Sequence, residues 1–137
     1  MQLLNTKSMS HYYVVLDLEA TCVEDRVIQN QEIIELPCVL VDSISGTILS
    51  TFRTYVKPKF NPVLSKFCTK LTGITQQQVD NAPSFPHALK MLDEWLYSNG
   101  LFTRGVTFDI VTCGNWDLEC ALPRQCELSR VSVPWYM

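Results

Sequence analysis

Three acids carry the chemistry that this sequence suggests. Asp17 and Glu19 stand two residues apart at the end of the apolar run in "YYVVLDLEATC", and Asp117 follows a second such run, in "TCGNWDLE". On a strand, residues i and i+2 point to the same face, with Cα atoms roughly 6.5 Å apart. Two carboxylates placed in this way repel, so either one takes up a proton or a cation sits between them. Carboxylate oxygens suit Mg²⁺ or Mn²⁺. The alternative is that a curved or frayed strand lets both reach water as ordinary surface acids. Asp117 has a plain explanation too, since acids are favoured in the first turn of a helix. It also lies just past a strand, where an open α/β sheet presents groups to a ligand. If the two strands are neighbours, the three carboxylates converge. Such a cluster holds two divalent ions about 3.5–4 Å apart, which activate water and stabilise a phosphoryl leaving group.

The elements that must position these acids can be read from periodicity. "HYYVVLDLEA" reads as a central strand, its near-continuous apolar run suiting burial on both faces. "EIIELPCVLVDSISGTILSTFRTYVKP" reads as a hairpin turning at Ser45 and Gly46, with Pro58 and Pro62 closing it and opening a loop. "SKFCTKLTGI" suits a short helix ending at Gly73. In "PSFPHALKMLDEWLYSNG", Phe85, Ala88, Leu89, Leu92, Trp95 and Leu96 form one helical stripe that reads as core packing. Ser84 suits the N-cap of that helix, Pro86 its first turn and Gly100 its stop. "GVTFDIVTC" reads as another strand, and "GNWDLECALPRQC" as a loop entering a short helix. "ELSRVSVPWYM" begins a further element without completing it. Strand, hairpin, helix, strand, helix is an α/β order with an antiparallel hairpin at one side.

Bulk properties narrow the class. A length of 137 residues fits one domain, and 47% hydrophobic with 18% charged residues is ordinary for a chain with a packed core. No apolar run approaches the roughly 18 residues of a membrane-spanning helix. The start, "MQLLNTKSMSH", lacks the features of a secretory signal. An intracellular protein is therefore expected, in cytoplasm or nucleus, with its six cysteines reduced and without zinc-site spacing. A net charge of −3 argues against a bulk nucleic-acid coat protein. Yet Arg53, Lys57, Lys59, Lys66 and Lys70 fall in a stretch, from Arg53 to Val79, that has no acid. That strip reads either as a solvated face or as a surface for phosphates.

"VLDLEATC" resembles the first motif, "DFEATC", of one branch of the DEDDh 3′→5′ exonucleases, the branch that includes the histone-mRNA and small-RNA exonucleases. "QEIIELPCVLVD" resembles its "QEIIEFP" strand, "FCTKLTGITQQQVD" its "FCTELTGI…QVD" loop, and "VTCGNWDLECALPRQC" its "TCGDWDL" motif. The match runs from about Tyr12 to Cys126, with motifs in the family order. The resemblance implies a ribonuclease H-like exonuclease fold, a mixed sheet with flanking helices, occupying residues 12–137 behind an extension at 1–11. It implies hydrolysis that uses two Mg²⁺ or Mn²⁺ ions and removes nucleotides from a single-stranded RNA 3′ end. Asp17, Glu19 and Asp117 match the family's metal ligands. The backbone at Ala20 and Thr21 is expected near the terminal nucleotide, with Leu71, Thr72, Gly73, Ile74 and Trp116 framing its base and sugar. An aromatic beside a catalytic acid stacks any base, although core packing explains Trp116 equally well.

The chain departs from the pattern in places. The family's third motif, HxxxxD, supplies a histidine base and a fourth metal-binding aspartate. Here Leu16 stands five residues after His11, and Leu92 five after His87. The resemblance therefore implies a fold incomplete at the C-terminus, the amino-terminal two thirds of the domain. Leu18 replaces the usual Phe, and Asn115 stands where Asp is common. Two other readings remain beside the exoribonuclease: a catalytically inactive relative that binds RNA or a protein partner, and a structural α/β domain whose acids are incidental.

Overall fold

The computed structural model describes residues 10–137. Five strands and four helices follow one another: β1 (Ser10–Leu16), β2 (Glu19–Ala20), β3 (Ile33–Asp42), β4 (Ile48–Tyr55), α1 (Lys66–Thr72), α2 (Gln76–Asp80), α3 (Phe85–Ser98), β5 (Val106–Val111) and α4 (Leu122–Ser129). A π-helical turn, Trp116–Ala121, leads directly into α4. Of the expected extension, Ser10 and His11 belong to β1, where they pair with Val106 and Thr107 of β5. Its remaining residues, 1–9, lie outside the described residues, as does most of the segment read for a signal.

The expected hairpin is β3 and β4. Asp42 closes its turn by accepting the Ile44 and Ser45 N–H groups and the Ser45 hydroxyl on Oδ1. Those bonds from Ser45 hold the Asp42 carboxyl below its usual range. Gly46 takes φ +70°, a conformation that glycine adopts without a Cβ penalty. Laterally the sheet reads β4–β3–β1–β5, with β2 pairing the start of β3 beyond the end of β1. β1 runs antiparallel to β3 and parallel to β5, so the sheet is mixed.

Burial on both faces of β1 is not what the structure shows. Val14 and Leu16 are buried, whereas Tyr13 and Val15 are 37% and 39% exposed. The reason lies in the layering. The main core joins Val14, Leu16, Leu36, Cys38 and Leu40 to Phe85, Ala88, Leu89, Leu92 and Leu96 of α3 and to Leu122 and Cys126 of α4. Both long helices thus cover the same sheet face. The apolar alternation along β1 encodes one buried face, and the other carries Tyr13, Val15 and the acids.

The stripe expected on α3 packs as predicted, though Ser84 stands at the N-cap without a side-chain bond to the helix. α1 is capped at both ends: Ser65 Oγ accepts the Cys68 N–H, and Gly73 ends the helix at φ +74°. α2 was not anticipated. It follows a capping box in which the Thr75 and Gln78 side chains satisfy each other's backbone groups. α1 and α2 close a second small core of Ile34, Cys68, Ile74 and Val79. All six cysteines are free thiols. No helix among the described residues is long and apolar enough to cross a membrane.

Candidate active site

β1 and β5 are parallel neighbours and deliver their C-terminal ends to one place. Asp17 follows β1, and Asp117 lies in the π-helical turn after β5. Asp117 is only 4% exposed, and its Oδ1 accepts the Leu18 N–H at 2.7 Å. Leu18 sits between Asp17 and Glu19, so a single bond ties the third acid to the first two. Leu18 itself points into the core, so a leucine serves where the family usually has phenylalanine. Asn115 donates to the Glu119 carboxylate at 2.7 Å, at the exposed entrance to the same turn.

Sequence reasoning missed a fourth acid. Glu35 stands opposite Glu19 across the β2–β3 ladder, on the site's face of the sheet, and is buried. The second acid of "EIIELPCVLV", set inside its apolar run, was the signal available. Glu35 is balanced by the Arg53 guanidinium, whose Nε donates to it. Arg53 in turn lies 5.1 Å over the Tyr55 ring, and the Tyr55 hydroxyl accepts from Gln78 Nε2 at 2.7 Å. Gln78 belongs to the capping box of α2, so a continuous polar chain links the acids to the segment after Gly73.

The electrostatics are unbalanced at Glu19. Burial first, then Asp17, Glu35 and Asp117 together, hold its carboxyl above the usual range. Among the described residues no three Asp, Glu, His or Cys side chains close into a preformed metal cage. The donor set nevertheless fits a hard divalent cation. It is all carboxylate oxygen, and the repulsion on Glu19 is the kind that such a cation relieves.

The residues expected around a nucleotide divide. Trp116 is 39% exposed and outside both cores, so core packing does not account for it. With Ala20 it lines a small hollow bounded also by Gln31, Ile33 and Arg124. Ala20 and Thr21 are buried, and their backbone is heavily engaged: Ala20 O accepts from Cys68 Sγ, Thr21 N donates to Glu32 O, and Thr21 O accepts from Gln31. Leu71 is 66% exposed at the end of α1. Thr72 turns its hydroxyl back to Cys68 O. The Ile74 side chain is buried in the small core, beneath the loop. Two cations of the basic strip are engaged within the fold. Arg53 is taken by Glu35, and Lys57 Nζ donates to Asp80 O at 3.0 Å.

With this geometry in place, the comparisons with known proteins are specific. The family model RNase T, described as "Exonuclease", matches residues 14–137. The human protein named ERI1 exoribonuclease 3 is 45% identical over 126 residues, covering 92% of this chain and 37% of its own length. This chain thus spans less than two fifths of that relative. The solved nuclease domain of 3′hExo, a DEDDh family member bound to rAMP, superposes with a TM-score of 0.88 at 42% identity, covering 94% of this chain and 64% of that one. A structure of a 3′-exonuclease in 3′-end specific recognition of histone mRNA stem-loop gives a TM-score of 0.87 at 41% identity, covering 93% and 57%.

Proposed function

The chain belongs to the DEDDh exonuclease family, and on that premise we propose that it acts as a metal-dependent 3′→5′ exoribonuclease on single-stranded RNA ends. The observation that carries this reading is the bond from Leu18 N–H to Asp117, which gathers acids from two sheet strands at one spot. RNA as the substrate is supported by the relatives, one named an exoribonuclease and others solved with rAMP or for recognition of an mRNA stem-loop. An RNA substrate supports the expected cytoplasmic or nuclear location.

Asp17, Glu19 and Asp117 would hold Mg²⁺ or Mn²⁺, two ions in the complete family site, and this metal supplies water activation and stabilisation of the leaving oxygen. The chain's own residues position the metal and the terminal nucleotide. Asp117, buried and bonded to the backbone, is a fixed ligand, while Glu19 is strained by its acidic neighbours until a cation arrives. Trp116 offers a ring face on which any base can stack, as an enzyme indifferent to sequence requires. Ala20 forms the floor beside it. Leu71 presents an apolar edge, and Thr72 and Gly73 set the turn that holds it there.

The test is a 5′-labelled single-stranded RNA incubated with the protein and Mn²⁺, beside Asp17→Ala. A ladder shortening from the 3′ end, absent with the variant, is expected. A folded wild-type protein that binds the RNA and leaves it intact would overturn the catalytic reading. Separately, Mn²⁺ should raise the melting temperature of the wild type and leave that of Asp17→Ala nearly unmoved, since a ligand bound only to the native state stabilises it.

A further inference from the structure

A cavity of about 450 Å³ opens on the helical side of the sheet, between the segment that leaves β4, the start of α3 and the end of α4. Its walls are pinned to one another by two buried side chains and a backbone bond. Glu32 takes the Lys59, Phe60 and Asn61 N–H groups on its carboxylate oxygens. Gln125 is 4% exposed; it accepts the Ile33 N–H at 2.7 Å and donates to Ser129 Oγ at 3.1 Å, tying α4 to the start of β3. The Lys57 N–H donates to Pro83 O at 2.8 Å and joins the third wall, the entry to α3.

Lys57, Lys59 and Arg130 line this cavity against a single acid, Glu32. Among the described residues none of the three cations forms an ion pair. Lys57 donates to Asp80 O at 3.0 Å, and the Lys59 ammonium lies 5.6 Å over the Phe60 ring. These contacts orient the two ammonium groups without neutralising them. The Glu32 carboxylate is already saturated by backbone N–H groups. Ser84 adds a hydroxyl that does not cap α3. Arg130 supplies an independent sign. It ends α4 at φ +55° and ψ +43°, a left-handed conformation in which glycine is the usual residue. A side chain kept there against backbone strain points to a use, and here it places a guanidinium at the cavity. An excess of two positive charges around a concave surface fits a phosphomonoester, which carries about −1.5 to −2 near pH 7 on three acceptor oxygens.

We propose that this cavity is a second binding site, for a phosphomonoester, whose oxygens Arg130 holds from the α4 side and Lys57 and Lys59 from the hairpin exit. The site lies across the sheet from the acids. It stands without the exoribonuclease reading, although the hydrolysis proposed above releases nucleoside 5′-monophosphates, which belong to this class.

The experiment is a calorimetric titration of the metal-free protein, with a chelator present, using inorganic phosphate and then AMP. Saturable one-to-one binding of phosphate is expected for wild type, and binding about 10-fold weaker or worse for Lys59→Gln/Arg130→Gln, through the loss of two charge-assisted contacts. Arg130→Gly separates binding from folding: relief of the left-handed backbone should raise its melting temperature while phosphate binding weakens. Trp116→Ala, which removes the stacking face at the candidate active site, should bind phosphate as wild type does. AMP is titrated into Trp116→Ala, so that stacking there contributes nothing. Tighter binding of AMP than of phosphate would identify a nucleotide as the occupant, and equal or weaker binding would assign recognition to the phosphate group alone. Absence of saturable phosphate binding by wild type, or binding untouched in both Lys59→Gln/Arg130→Gln and Arg130→Gly, would overturn the site. Loss of phosphate binding in Trp116→Ala would overturn it too, by moving the ion to the acids' side of the sheet. The RNA ladder of wild type against Asp17→Ala reads the nuclease separately.

Discussion

Glu32 and Glu19 are neighbours in the fold and opposites in their surroundings. Glu32, 2% exposed, receives three backbone N–H groups, from Lys59 at 2.7 Å, Phe60 at 2.8 Å and Asn61 at 2.7 Å. Its charge is spent on fixing the loop that leaves the hairpin. Glu19 meets three carboxylates and, among the described residues, no ion-paired cation, and burial together with those acids pushes its carboxyl upward. Glu35 stands between these cases, an acid at the site's edge that one arginine neutralises. A buried carboxylate surrounded by donors is scaffold. One surrounded by other acids marks where a cation belongs.

The largest expected effect breaks the scaffold side of that contrast. Glu32→Ala strands three N–H groups and should cost about 2–4 kcal/mol, read as a lower urea midpoint at unchanged slope. Next, Arg53→Met would move Glu35 into the class of Glu19. It should cost about 1–2 kcal/mol without metal, through the unpaired buried acid, and part of the loss should return on adding Mn²⁺. The smallest effect has the opposite sign. Glu19→Gln should stabilise the metal-free protein at neutral pH by about 0.5–1 kcal/mol while abolishing stabilisation by Mn²⁺.

The same glutamate predicts a pH dependence. Because its folded carboxyl is held above the usual range, the native state keeps a proton that the unfolded chain has already released. Metal-free stability should therefore fall as pH rises from the ordinary glutamate range through the raised value, and Glu19→Gln should flatten that fall. Thermal melts across pH, with a chelator present, check it.

Much of this was legible in the sequence because its signals were local. The hairpin announced itself through β-rich runs around "DSISG", and α3 through an apolar stripe six residues strong. The acids were legible as a motif, and the parallel pairing of β1 with β5 confirmed that their strands are neighbours. What stayed hidden depended on pairing across the sheet. Nothing near Glu35 in the chain reveals that it faces Glu19 on one side and meets Arg53 diagonally on the other, since that follows from the register of β3 against two strands. The basic strip was visible as composition, but only tertiary contacts separate the lysines that remain unpaired from the cations already committed. α2 escaped because five residues, only one of them buried, carry no periodicity, and its capping box was the sole clue. The exposed face of β1 was misjudged because an apolar run does not say how many layers will cover it.

The turn that carries Asp117 is wound more loosely than an α-helix, with the Leu122 N–H reaching back five residues to Asp117 O. It holds one residue more than the regular coil into which it runs. The architecture could surrender that residue cheaply, because an α-helical turn would join α4 just as well. Asp117 could not, because losing a residue there rotates everything upstream by about 100° about the axis and swings the carboxylate away from Leu18. Length polymorphism in this short stretch would thus separate two histories: lineages that kept the extra residue, and with it a use for the acid, and lineages that shed it and kept only the shape.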